Sequence, residues 1–92
     1  MKITYDPDKR DKTLKDRGID FEEASEVFAG ATMDFQDTRQ DYGETRIITF
    51  GFLDSRMVVI VWTQRGETRH IISMRKANER EIKKYTKGLE QV

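Results

Sequence analysis

Three permanent cations and the chain's single histidine bracket an apolar run in one stretch, "RHIISMRKANERE", Arg69 to Glu81. Arg69 and His70 precede the apolar "IISM", and Arg75 and Lys76 follow it. Period-two alternation on a strand sends His70, Ile72 and Met74 to one face and Arg69, Ile71, Ser73 and Arg75 to the other. On a wet sheet face the two arginines stand roughly 20 Å apart along the backbone, close enough to grip two phosphates of one strand. Ser73 between them leaves room for a ligand, and Glu44 and Arg46 share a face of an earlier strand.

That set suits RNA cleavage without a metal. Guanidinium groups match phosphate oxygens and stay charged, so they stabilise a phosphorane as it forms. Proton transfer needs a group with an adjustable pKa, for which Glu44 is the candidate base and His70 or Lys76 the candidate acid. Tyr42, Trp62 and Tyr85 are candidates to stack on unpaired bases. Each has a plainer counterpart. Arg69 and Arg75 can form cross-strand ion pairs with Glu44 and Glu67, His70 can be a satisfied core or edge histidine, and Trp62 and Tyr85 can be packing residues.

The elements around this stretch follow from pattern. "KITYD" reads as a strand. Asp6 and Pro7 open a charge-laced helix over about 7–16, which Gly18 ends. Asp20 and Glu23 form a capping box for a second helix, with Phe21, Ala24, Val27 and Phe28 on one face. "MDFQDT" is a candidate short strand. "ETRIITFGFL", "MVVIVWTQ" and "ETRHIISMR" are long strands, joined at Asp54–Ser55 and Arg65–Gly66. Asn78 and Glu81 cap a last helix with an Ile82, Tyr85, Leu89 stripe and Gly88 near its frayed end. The fold class is α+β: an N-terminal strand and two helices, an antiparallel meander sheet of three to four strands, and a C-terminal helix, with helices covering one face.

Ninety-two residues fit one domain over 1–92. Hydrophobic residues make up 36% and charged residues 37%, so the core is small. Without cysteine there is no disulfide or thiolate metal site, and one histidine cannot build a zinc tetrad. No apolar run reaches membrane-spanning length, so a soluble, cytoplasmic protein without metal or cofactor is expected. Net charge is zero but polarised: residues 1–38 carry six Lys+Arg against ten Asp+Glu, and residues 39–92 carry eleven against seven. A basic surface on the second half is therefore expected. One reading is a nuclease; the other is a non-catalytic protein-binding module docking an acidic partner.

The order of several short motifs is specific. "YDPDKRDKTLKDRGIDFEEASEVF", "DYGETR", Gly51, "TQRGETRHIISMRKA" and "EREIKKY" together resemble the BrnT toxins of bacterial type II toxin–antitoxin pairs, over almost the whole chain. Two departures stand out: Arg17 where the family commonly has histidine, and Met74 where it commonly has alanine. Arg17 cannot transfer a proton at neutral pH, though it can bind phosphate. The resemblance implies a RelE-like fold, endoribonuclease activity that halts translation and growth, and a BrnA-like antitoxin that carries the operator-DNA contacts of the pair. Carried over position by position, it implies Lys9, Glu44, Arg46, Arg65, Arg69, Ser73, Arg75 and Lys76 as functional residues; with His70 from the strand reading, the expected catalytic set is Glu44, Arg46, Arg69, His70, Arg75 and Lys76. Lys9, Arg17, Arg65 and Ser73 are RNA-binding candidates. Arg69 and Arg75 are expected on phosphate, Lys76 or His70 as acid, and Glu44 as base or as an orienter of Arg46.

Overall fold

A computed structural model describes residues 2–90. Five strands form one sheet: β1 (Lys2–Tyr5), β2 (Thr32–Gln36), β3 (Ile47–Leu53), β4 (Arg56–Arg65) and β5 (Thr68–Lys76), in the order β1-β5-β4-β3-β2. The helices are α1 (Pro7–Arg17), α2 (Ala24–Ala29) behind a 3₁₀ turn at Phe21–Glu23, and α3 (Glu79–Glu90). The architecture is α+β, and the sheet is mixed. β2 to β5 form an antiparallel meander, while β1 lies parallel to β5. The expected three to four antiparallel strands are thus exceeded by one parallel edge strand. Its pairing spans most of the chain and leaves no local signature.

Helices also cover both faces rather than one. On the first face Phe21, Ala24 and Val27 bury against Ile60, Trp62, Ile71 and Met74. On the second, Leu89 and Tyr85 of α3 pack on Phe50, Met57 and Val59. The paired residues Phe50 and Val59 project to the second face, while their neighbours Gly51 and Val58 serve the first. Close approach requires glycine at Gly51 and is tight at Gly88. A Cβ at Gly51 would lie 2.6 Å from Val27 Cγ1, and one at Gly88 would lie 3.1 Å from Met33 Sδ. Gly88 thus packs α3 closely against Met33 of β2.

Local chemistry sets the joints. Asp6 accepts the Asp8 N–H at the start of α1, and Gly18 ends it at φ 69°. The expected capping box is present, with the Asp20 carboxylate accepting the Glu22 N–H at 3.0 Å, but it opens the 3₁₀ turn. Asp54 and Ser55 take φ of 49° and 67°, the left-handed pair that a two-residue hairpin needs. Asn78 and Glu81 exchange reciprocal caps at 2.8 and 2.9 Å, starting α3 one residue after Asn78.

Candidate active site

The feature that reorganises the expected site is a β-bulge. Val61 pairs with Ser73, but Trp62 pairs with Ile71, so Ile72 is an extra residue in β5. A one-residue insertion inverts the side-chain phase beyond it. Ile71 and Met74, three apart, consequently both enter the first-face core. Arg69 and Arg75, expected on one face, lie on opposite faces. Arg69 sits on the first face, its Cζ 4.5 Å from the ring centres of both Phe28 and Trp62. Arg75 lies opposite Val59 on the second face and forms a two-pronged pair with Glu81 of α3, at 2.8 and 2.9 Å. Neither makes the expected contact with Glu44 or Glu67, and the paired grip on one RNA strand is not available to them.

The second face instead gathers another group. α3 covers the Phe50–Val59 end, and beyond it Ile48, Val61 and Ser73 are only half-buried. Carrying the β3–β4 register one step past Ile47–Trp62 sets Arg46 opposite Thr63; Thr63 pairs with His70, and His70 with Thr4. Thr63, His70 and Thr4 thus form one row across the sheet, and Arg46, just ahead of β3, falls at its end. Arg65 stands two residues along β4 on the same face. Glu44 ties the arginines together: one oxygen meets Arg46 Nε at 3.2 Å and the other Arg65 Nη2 at 3.7 Å. The Arg46 guanidinium also lies 4.0 Å from the centre of the Tyr42 ring.

His70 is the titratable centre of this face. Burial is the main cause that pushes its pKa below 6.5, and Arg65 and Lys9 push the same way against weaker opposition from Glu44 and Asp6. The imidazole is therefore neutral at pH 7 and able to accept a proton. Its Nδ1 is 3.0 Å from Thr4 Oγ1, which leaves Nε2 for a ligand. Thr63, buried beneath, donates to the Thr45 carbonyl at 2.7 Å and holds the neighbouring segment against β4.

Lys9, Arg17 and Ser73, dispersed in sequence, line one cleft between α1 and β5, with a volume of about 180 Å³. Arg17 Nη1 donates to the Met74 carbonyl at 2.9 Å. The Met74 side chain fills core space. Lys76 does not join the group. It pairs with Val58 at the far end of the strand from the Thr63–His70 pair and projects from the other face. Of the stacking candidates, Trp62 is packed in the core and donates Nε1–H to Thr49 at 2.8 Å. Tyr85 lies 4.3 Å from Phe50, centre to centre, and Tyr42 lies under Arg46 while donating to Asp37 at 3.0 Å.

Two residues escaped the sequence reading. Asp37 is fully covered and holds Arg39 through two hydrogen bonds of 2.7 and 2.8 Å. Arg39 remains 70% exposed, and its charge bears on Arg75. The "DTRQDY" spacing was the only signal, and it reads equally well as a turn. Thr4 lies in β1, whose partner strand no local pattern identifies.

An α+β protein with arginines and a neutral histidine on a half-open sheet face belongs to a class suited to anionic, phosphate-bearing ligands. More specifically, residues 5–81 match the family described as "Ribonuclease toxin, BrnT, of type II toxin-antitoxin system", and the chain belongs to that family. Membership implies an antitoxin protein as partner. No curated protein matches the chain. Among the described residues no helix is long and apolar enough to cross a membrane, and no group of three or more His, Asp or Glu is arranged to hold a metal ion.

Proposed function

We propose that the chain is a RelE-like, metal-independent endoribonuclease toxin, and that RNA lies on the second face of the sheet across the Arg46–Thr63–His70 row. The observation that carries this reading is the convergence of Arg46, Arg65 and a neutral His70 on one half-open face, together with the family's ribonuclease character. His70 Nε2 takes the proton of a ribose 2′-OH, and the 2′-oxygen attacks the adjoining phosphorus. Arg46 and Arg65 hold the non-bridging oxygens as negative charge grows on them. The bond to the 5′-oxygen breaks, and that oxygen takes a proton from solvent on the open side. The products are a 2′,3′-cyclic phosphate and a 5′-hydroxyl.

Glu44 serves as the orienter of the two arginines, since each of its oxygens already faces a guanidinium. Arg75 contributes only when released from Glu81. Arg69 and Lys76 take no part in this reading, which makes Lys76→Ala a control. Unchecked cleavage stops translation and growth in the cytoplasm. A BrnA-like antitoxin neutralises the toxin and supplies the contacts to operator DNA.

The test uses purified protein, single-stranded RNA and EDTA. Cleavage that persists with EDTA, stops when the ribose at the cut site is 2′-deoxy, and leaves cyclic phosphate ends is the expected result. Loss of activity with EDTA overturns metal independence, and cleavage at 2′-deoxy positions overturns the chemistry.

A further inference from the structure

Beside the bulge that separates Arg69 from Arg75, a cleft runs along α1. Ile72, the inserted residue, and Ser73 form one wall, and α1 forms the other with Lys9, Lys12, Thr13, Asp16 and Arg17. Three cations face one carboxylate, and Lys12 Nζ lies 3.2 Å from Asp16 Oδ2. The cleft keeps a surplus of positive charge and presents two hydroxyls, a donor set that fits phosphate oxygens. Its volume of about 180 Å³ admits a phosphate group with part of its sugar. Two observations join it to the reacting centre: Lys9 both lines the cleft and bears electrostatically on His70, and Ser73 follows His70 by three residues, roughly 10 Å along the strand. That offset is too long for the cleft to share the scissile phosphate.

Resting on the proposed nuclease reading, we infer that this cleft is a subsite for a phosphodiester neighbouring the one cleaved, so that the toxin prefers substrates carrying at least one further phosphate. A dinucleoside monophosphate, which has only the scissile phosphate, leaves the cleft empty. A trinucleotide fills it.

The experiment compares KM and kcat for a dinucleoside monophosphate and a tri- or tetranucleotide, in the native protein and in Lys12→Ala and Ser73→Ala. A companion NMR titration follows the amides of Lys12, Arg17 and Ser73 with a cleavage-resistant 2′-deoxy oligonucleotide and, separately, with inorganic phosphate. The native protein should show a KM about tenfold lower for the longer substrate, the worth of one hydrogen bond to a charged group. Lys12→Ala should remove most of that advantage with little change in kcat, and should leave the dinucleoside monophosphate unaffected. Oligonucleotide should shift the cleft amides at far lower concentration than inorganic phosphate. Equal KM for short and long substrates, or equal losses on both in Lys12→Ala, overturns the subsite. If no RNA is cleaved at all, the nuclease reading falls, and the amide shifts still decide the cleft: unshifted amides overturn it independently.

Discussion

Replacing Gly51 with alanine tests how tightly the first face is packed. The added Cβ would sit 2.6 Å from Val27 Cγ1 and 3.2 Å from Thr32 Cγ2, and Val27 is fully buried. Neither neighbour is the free end of a flexible side chain, so α2 must lift from β3 or the strand must shift. Overpacking of this kind costs about 1–3 kcal/mol. For a chain of this size each kcal/mol lowers Tm by about 4–8 °C, so a fall of at least 4 °C is expected. Gly43→Ala is the matched control. Gly43 has φ 72° but nothing within 4 Å of an added Cβ, so only the backbone term, about 1 kcal/mol, applies. Val27→Ala by itself destabilises by opening a cavity, yet it removes the clash. The double variant should therefore lose about 1 kcal/mol less than the sum of the single losses. Thermal and urea unfolding followed by circular dichroism measure the native protein and all four variants. A Gly51→Ala protein as stable as the native one, or strict additivity with Val27→Ala, refutes the close contact of α2 with β3.

Glu81→Ala removes both the cap on Asn78 and the partner of Arg75; it should cost about 1–2 kcal/mol in a melt, because the cap counts nearly in full and the half-exposed ion pair only slightly. The same variant frees Arg75 and should tighten binding of a 2′-deoxy oligonucleotide, read by fluorescence anisotropy. Because the His70 pKa is lowered, kcat/KM should fall with acid through a value below 6.5, and a pH–rate profile in the native protein and His70→Ala checks that the limb belongs to His70. Hydrogen bonds from Arg39 hold the Asp37 carboxylate below its ordinary 3.8, so its stabilisation is present above pH 3.8 and is lost as pH falls through that value toward the folded one. Asp37→Asn should flatten that acid limb of a stability-versus-pH curve.

Elements with local chemistry were legible in the sequence. Pro7, Gly18, the two capping boxes and the Asp54–Ser55 hairpin each act within a few residues, and each fell where its residue types require. Non-local pairing was not legible. β1 meets β5 across more than sixty residues, and nothing in "KITYD" names its partner. The bulge at Ile72 was the costly omission. "HIISM" alternates plausibly as a flat strand, and only the pairing of Val61 and Trp62 with non-consecutive partners shows the insertion. The fold distributes the ten candidate side chains among separate places. Glu44, Arg46, Arg65 and His70 come together, while Arg69, Arg75 and Lys76 are dispersed to a stacked site, an ion pair and a strand end.

The claim that RNA is cut across the Arg46–Thr63–His70 row is tested most directly by single-turnover cleavage rates of Arg46→Ala, Arg65→Ala and His70→Ala beside Arg69→Ala and Lys76→Ala. Losses of about a hundredfold or more in each of the first three, with the last two within about threefold of native once folding is verified, are the predicted result. Native rates in the row variants, with activity lost instead in Arg69→Ala or Lys76→Ala, would contradict it.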